Sequence, residues 1–263
     1  MLIFLKLGGS LITDKAQPRT ARLDRIDRVC QEIAAALRSQ PDLQLLLGHG
    51  SGSFGHSSAD RYGTRDGVST REQWDGFARV WWDAASLNYL VMKALHGNGI
   101  PAAAFPPSSA VFCQERKIKE WLLSPLRAAL NQRLVPVIYG DVCFDETVGG
   151  TILSTEELFT YLARKLNPDR ILLAGEAPGV WADFPRCTEV LDEIRPGDLP
   201  ALEDTLHSAE ETDVTGGMET KIRETLKLIR ELPNLDALVF SGTEPGSVKS
   251  ALGGGHPGTR LRA

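Results

Sequence analysis

Strands alternating with helices along nearly the whole chain predict an α/β protein, an open αβα sandwich with a mainly parallel central sheet. Two observations carry this. Short apolar runs recur at intervals and end in glycine or a polar turn, as buried parallel strands do. Between them lie longer segments whose apolar residues repeat at helical spacing.

In chain order, Leu2 to Leu7 is the first apolar run and ends at Gly8-Gly9. Apolar residues at Leu23, Ile26, Val29, Ile33 and Leu37 give a helix. Leu43 to Leu47 is a second strand, leading into a glycine-rich loop from Gly48 to His56. A long helix is expected from about Arg71 to His96, with Trp74, Phe77, Trp81, Ala85, Asn88 and Met92 along one side and glycines at its end. Ile100 to Phe105 is a third strand. Ile118 to Gln132 reads as helical with an interruption near Pro125. Leu134 to Tyr139 is a fourth strand, and Val142 to Phe144 with Thr151 to Leu153 reads as a hairpin. A helix from Thr155 to Leu166 follows, capped by Ser154 or Thr155. Arg170 to Ala174 and Leu235 to Phe240 are further strands flanking a helix from Gly217 to Leu232, and the glycine-rich tail ends in a short hairpin strand. One domain covers residues 1–263, with an N-terminal lobe of about 1–150 and a C-terminal lobe of about 151–263.

The 263 residues are 42% hydrophobic, enough for a substantial core. The formal net charge of -5 argues against general nucleic-acid binding. Anionic ligands must then be met by locally placed cations. Cys30, Cys113, Cys143 and Cys187 are widely separated and form no CxxC pair, so neither a zinc site nor a disulfide framework is suggested. The apolar start before Lys6 is too short for a signal peptide or a membrane span. A cytoplasmic protein with no membrane partner is expected.

Ligands of open α/β sheets bind beyond the carboxyl ends of the strands. Two glycine-rich segments fall at such ends: Lys6-Leu7-Gly8-Gly9-Ser10, and Gly48 to His56. A third, Asp213 to Met218, opens a helix. Glycine lets backbone N–H groups approach an anion without a Cβ in the way. Lysine or histidine stands by each: Lys6 and Lys15, His49 and His56, and Lys221. Three anion cradles with nearby cations suit a reaction between two phosphate-bearing molecules, because phosphoryl transfer needs positioning and charge neutralisation above all. The run Gly50-x-Gly52-x-x-Gly55 also matches a dinucleotide fingerprint, but it follows the second strand and no acidic residue ends the next one. No GxxxxGK[ST] or GxSxG occurs. The aromatic stripe Trp74, Phe77, Trp81 reads as core or as a ligand wall. Arg19, Arg22, Arg25 and Arg28 read as a solvated helix face.

Together these segments resemble the isopentenyl phosphate kinase branch of the amino-acid-kinase superfamily. The resemblance runs from Lys6-Leu-Gly-Gly-Ser10 to Gly258-Thr259. Its most specific part is the loop ending in Phe54-Gly55-His56. Thr13-Asp14-Lys15, Pro106-Pro107-Ser108-Ser109, Pro136 to Asp141, and Asp213 to Met218 with Lys221 match in order and spacing. The resemblance implies the amino-acid-kinase fold and transfer of a phosphoryl group from ATP, with Mg2+ held through the nucleotide phosphates. It implies that Lys6, Gly8, Gly9 and Ser10 cradle the ATP phosphates, helped by Gly216, Lys221 and Asp183. It places Lys15 near the phosphate being transferred. Gly50, Ser51, Gly55, His56 and Thr155 would bind the acceptor, with His56 on its phosphate. Lys6, Lys15, His56 and Lys221 would be the catalytic set. Asp141 would be structural, and a homodimer is expected.

Two segments depart from the branch. Ser154-Thr155-Glu156 stands where the branch often has Ser-Gly-Asp, so Glu156 lengthens the acid that orients the lysines. Gly175 to Trp181 replaces a common Thr-Asp-Val-Asp-Gly-Val-Tyr around the nucleotide. The leading expectation is conversion of isopentenyl phosphate to isopentenyl diphosphate. A fosfomycin (phosphonate) kinase of the same branch is the first alternative, and a catalytically silent ligand-sensing homologue is the second.

Overall fold

Alternation along the first strand sets the layers. In β1 (Leu2–Leu7), Ile3, Leu5 and Leu7 enter one hydrophobic cluster and Phe4 enters another. β2 (Gln44–His49) repeats the pattern, with Leu45 and Leu47 on one face and Leu46 on the other. A strand with side chains alternating between two buried faces needs cover on both. The computed structural model, which describes residues 1–202 and 218–263 apart from the His56 side chain, supplies that cover. One face carries α1 (Gly9–Ile12), α2 (Leu23–Ser39), α4 (Arg71–Gly97) and α8 (Ser247–Leu252). The other carries α5 (Ser124–Asn131), α6 (Thr155–Leu166) and α7 (Met218–Glu231).

The main sheet also holds β3 (Ala102–Ala104), β6 (Val135–Tyr139), β9 (Arg170–Gly175), β10 (Glu193–Ile194), β11 (Asp236–Ser241) and β12 (Gly258–Leu261). Its order is β10-β12-β11-β9-β1-β2-β6-β3, and every pairing is parallel except β11 with β12. The chain runs outward from β1 in both directions. The crevice beyond the carboxyl ends of β1 and its two neighbours is therefore the expected ligand position.

A second sheet, β5-β4-β7-β8, joins β4 (Val111–Gln114), β5 (Lys117–Trp121), β7 (Asp141–Asp145) and β8 (Gly149–Leu153). The β7–β8 hairpin was expected from the sequence, whereas the β4–β5 hairpin was not. Lys117 to Trp121 is a strand where a helix was read, and α5 starts only at Ser124, with Pro125 in its first turn. The turn is Glu115-Arg116, both at positive φ (51° and 62°), between the paired residues Gln114 and Lys117. Two-residue hairpin turns of this hand normally announce themselves with asparagine or glycine. Here neither is present.

The glycine-rich segment also differs from expectation. β2 continues to His49, and α3 (Gly52–Tyr62) begins at Gly52, so only Gly50 and Ser51 lie between strand and helix. The second cradle is a helix N-terminus, not a long loop.

Candidate active site

The two cradles touch. Gly8 and Gly9 follow β1, and Gly50 to Gly52 follow the adjacent β2. A Cβ on Gly9 would lie 2.7 Å from both Cα and N of Gly52, and one on Gly50 would lie 3.0 Å from the Gly9 nitrogen. Only glycine allows the two backbones this close. Thr13 staples them: its hydroxyl donates to the Gly9 carbonyl (2.7 Å) and accepts from the Ser53 N–H (3.0 Å). Ser10 lies half-buried in α1. Gly55 sits one turn into α3, where a Cβ would meet the Ser51 side chain at 2.6 Å. On the other side of β1, the Gly8 N–H donates to Ala174 O (2.8 Å) and the Gly242 N–H to Gly175 O (2.8 Å). The ends of four strands, β1, β2, β9 and β11, thus lie side by side.

Lys6 pairs in register with Gly48 on one side and Leu173 on the other, and is 8% exposed. Its ammonium forms an ion pair with Glu156 in the first turn of α6. Burial pushes the Glu156 carboxyl up, but the charges of Lys6 and Lys221 outweigh it and hold the group below the usual glutamate range. Three residues far apart in sequence therefore form one electrostatic cluster, with Lys221 reaching it from α7. The longer acid at position 156 still pairs with Lys6 and feels the charge of Lys221.

Thr155 is placed differently from the acceptor contact expected of it. It is 1% exposed, and its hydroxyl donates to the His49 carbonyl at 2.6 Å. Its methyl and the Phe159 ring fill the space where a Cβ on Gly48 would be, at 2.6 Å. The side chain ties α6 to the end of β2. His49 is no mobile cation either. It is fully buried and stacked on Tyr139 (centroids 5.3 Å apart), with ring nitrogens 3.1 Å from Gly50 O and 3.2 Å from Asn88 Oδ1. Burial lowers its pKa, which favours the neutral ring.

His56 lies in the early turns of α3, and its side chain is outside the described part of the molecule. Gly216 lies outside the described residues, as does the third glycine-rich segment up to Gly217. Lys15 is exposed, in the loop closed by the Thr13–Ala21 bridge. Asp183 is half-buried and caps its own turn, accepting from the backbone N–H groups of Thr188 (3.0 Å) and Glu189 (3.2 Å) and from the Thr188 hydroxyl. Its carboxylate serves local backbone geometry here.

The arginines of α2 are not a solvated face. Arg22 and Arg25 grip Glu176 at 2.9 and 2.8 Å, and Arg28 donates to Gly242 O at 2.7 Å. They brace the loops that follow β9 and β11. Asp141 is 1% exposed at the start of β7 and accepts from the Val142 N–H (2.9 Å). Burial pushes its carboxyl up to about 6, opposed by hydrogen bonds from Ser108 and Val142.

The aromatic stripe of α4 splits. Phe77 is 7% exposed and joins Val68, Val80 and Val142 in a separate apolar cluster, with Ala59, Trp74 and Ile152 packed against it. Trp81 is 41% exposed beside Trp82 and lies off that face. The cluster includes Ala59 of α3, about 10 Å along the helix from Gly52 at 1.5 Å per residue. Sequence reasoning missed Asp83, a buried acid on α4 at 2% exposure. Its signal was its spacing, three residues after Val80 and four before Leu87 on the buried face. Among the described residues, no group of three or more His, Cys, Asp or Glu side chains is arranged to hold a metal ion.

Comparison with known proteins places this geometry. Residues 1–241 match the family model of the amino acid kinase family. The isopentenyl phosphate kinase of Methanothermobacter thermautotrophicus is 34% identical over 99% of this chain and 98% of its own length. That of Methanocaldococcus jannaschii is 32% identical over 99% and 98%. A solved isopentenyl phosphate kinase superposes with a TM-score of 0.81 at 30% identity, covering 99% of this chain and all of that one. A carbamate kinase from Giardia lamblia shares the fold, with a TM-score of 0.71 at 14% identity over 99% and 98% of the two chains.

Proposed function

Because the chain belongs to the isopentenyl phosphate kinase branch of the amino acid kinase family, we propose that it transfers the γ-phosphoryl of ATP to isopentenyl phosphate, forming isopentenyl diphosphate and ADP. The observation that carries this is the contact between the two glycine cradles. A nucleotide triphosphate on Gly8-Gly9 and an acceptor phosphate on the α3 N-terminus would meet across a gap no side chain can enter.

An oxygen of the acceptor phosphate attacks the γ-phosphorus as the bond to the β-bridging oxygen breaks in line. The attacking oxygen is already ionised at neutral pH, so no general base is needed. Lys6 and Lys221 neutralise the equatorial oxygens and the leaving ADP. Glu156 orients both ammonium groups, and its depressed pKa keeps it charged while they are. Lys15 would add charge from its loop, and His56 would hold the acceptor phosphate from α3. The same proposal includes Mg2+, which would be held through the nucleotide phosphates and would supply further positive charge there.

The tail of the acceptor would run beside α3 toward Val68, Phe77, Val80 and Val142. Such an apolar wall favours an isoprenoid over the compact, polar fosfomycin. Phe77 would belong to that wall as expected from the sequence, joined by Val80, whereas Trp81 lies off it. In this reading the acceptor lobe, about 1–150, would take the β2 side of β1, and the nucleotide lobe, about 151–263, the β9 side. A cytoplasmic homodimer is part of the same reading, and sedimentation velocity tests the dimer.

The deciding experiment measures ADP release and product mass with isopentenyl phosphate, fosfomycin and short alkyl monophosphates. Isopentenyl diphosphate should dominate. Faster turnover of fosfomycin would transfer the reading to the phosphonate kinase. Absence of turnover with every acceptor, despite ATP binding, would leave the ligand sensor.

A further inference from the structure

The loop that carries Lys15 is held at unusually many points. The Asp14 N–H donates to Thr20 O (2.9 Å), the Ala16 N–H to Asp14 Oδ1 (3.0 Å) and the Gln17 N–H to Asp14 O (3.3 Å). Lys15 thus sits at the second position of a closed turn. The loop is then tied to α3: the Arg19 N–H donates to Ser53 O (3.0 Å) and the Thr20 N–H to Ser53 Oγ (3.3 Å). Arg19 adopts φ 54°, an uncommon conformation for a residue with a side chain. Its guanidinium ends 2.8 Å from Asp83 Oδ1, on a carboxylate only 3% exposed. Arg79, one turn earlier on α4, stands 3.4 Å from the same oxygen.

A buried acid on the core face of a helix is costly unless it is paired. Arg79 alone could pair it from the same helix. The second partner comes from a distant loop, and Arg19 must take an uncommon backbone conformation to reach it. We infer that Asp83 is a positioning residue: through Arg19 it locks the Lys15 loop against α3 and α4, setting where Lys15 stands over the two phosphates. This rests on the kinase reading above and on Lys15 acting in transfer. Asp83 itself touches no reactant.

The test is a double-mutant cycle in the full chain, with kcat, the KM for ATP and the thermal midpoint measured for Arg19→Met, Asp83→Asn, Lys15→Ala and Lys15→Ala/Arg19→Met. Arg19→Met should fold, because Arg79 still pairs Asp83. It should lower kcat about tenfold, since a misplacement of about 1 Å can cost roughly a hundredfold, with KM for ATP within about twofold of wild type. In the Lys15→Ala background, Arg19→Met should cost nothing further, because both changes remove one interaction. Asp83→Asn, if it folds, should match Arg19→Met. Three results would overturn the inference: Arg19→Met within about twofold of wild-type kcat, losses that multiply in the double variant, or a lower midpoint with unchanged kcat. A slow Lys15→Ala beside a normal Arg19→Met sinks this inference alone. A normal Lys15→Ala removes the role of Lys15 and the inference together.

Discussion

Replacing Gly9 with alanine puts one methyl group between the two cradles. The new Cβ would lie 2.7 Å from Cα and N of Gly52, where ordinary contact begins at 3.4 Å. Both neighbours are backbone, and Ser53, the residue after Gly52, is tied to Gly9 by the Thr13 bridge. The cradles must part by about 0.7 Å, the difference between those two distances. Misplacing two reactants by about 1 Å can cost roughly a hundredfold, so kcat should fall between about tenfold and a hundredfold. Overpacking of this kind costs about 1–3 kcal/mol in stability. Gly50→Ala makes a graded comparison, with its nearest contacts at 3.0 and 3.4 Å. Gly97→Ala is the control, because nothing lies within 4 Å of its Cβ position at the end of α4. Steady-state ADP release with isopentenyl phosphate, alongside thermal denaturation, should rank kcat as Gly97→Ala, then Gly50→Ala, then Gly9→Ala. A Gly9→Ala protein that keeps kcat within about threefold of wild type would show that the close approach of the cradles does not set the transfer geometry.

Three further outcomes follow from the site. His56→Ala should slow transfer far more than it weakens ATP binding, and His56→Gln should recover part of the rate through its amide donor; calorimetry with ATP and kinetics with the acceptor separate the two effects. Lys221→Ala should fold normally yet lose on the order of 2–4 kcal/mol of transition-state stabilisation, read as a drop in kcat/KM. Asp141→Asn should raise stability at pH 7. In the unfolded chain this carboxyl loses its proton near 3.8, whereas the folded protein holds it to about 6. The native state therefore binds more protons across that window, and stability falls as pH rises through it. The loss is at most about 3 kcal/mol at 1.36 kcal/mol per pKa unit. Asparagine removes it, so the melting temperature should flatten between pH 4 and 6 relative to wild type.

Sequence by itself determined the layered α/β plan and located the two glycine-rich segments at neighbouring strand ends. The continuous apolar run in Leu2–Leu7 and helical spacing after Leu23 are local properties, and local patterns survive without knowledge of distant partners. The resemblance carried by the Phe54-Gly55-His56 segment and the Lys6 to Ser10 segment likewise needed no coordinates. Three features were decided only by tertiary structure. The β4–β5 hairpin turns on Glu115-Arg116, residues with no intrinsic preference for positive φ, so its pairing outweighs its propensity. His49 looked like a cation for an anion site, yet burial favours its neutral ring, and that burial comes from neighbours such as Tyr139 of β6 and Asn88 of α4. The arginines of α2 looked solvated because their partners, Glu176 and Gly242, lie more than a hundred residues away. Charge and burial are properties of a neighbourhood. Neighbours brought together by a parallel sheet are distant in sequence, because each parallel crossover needs a long connection.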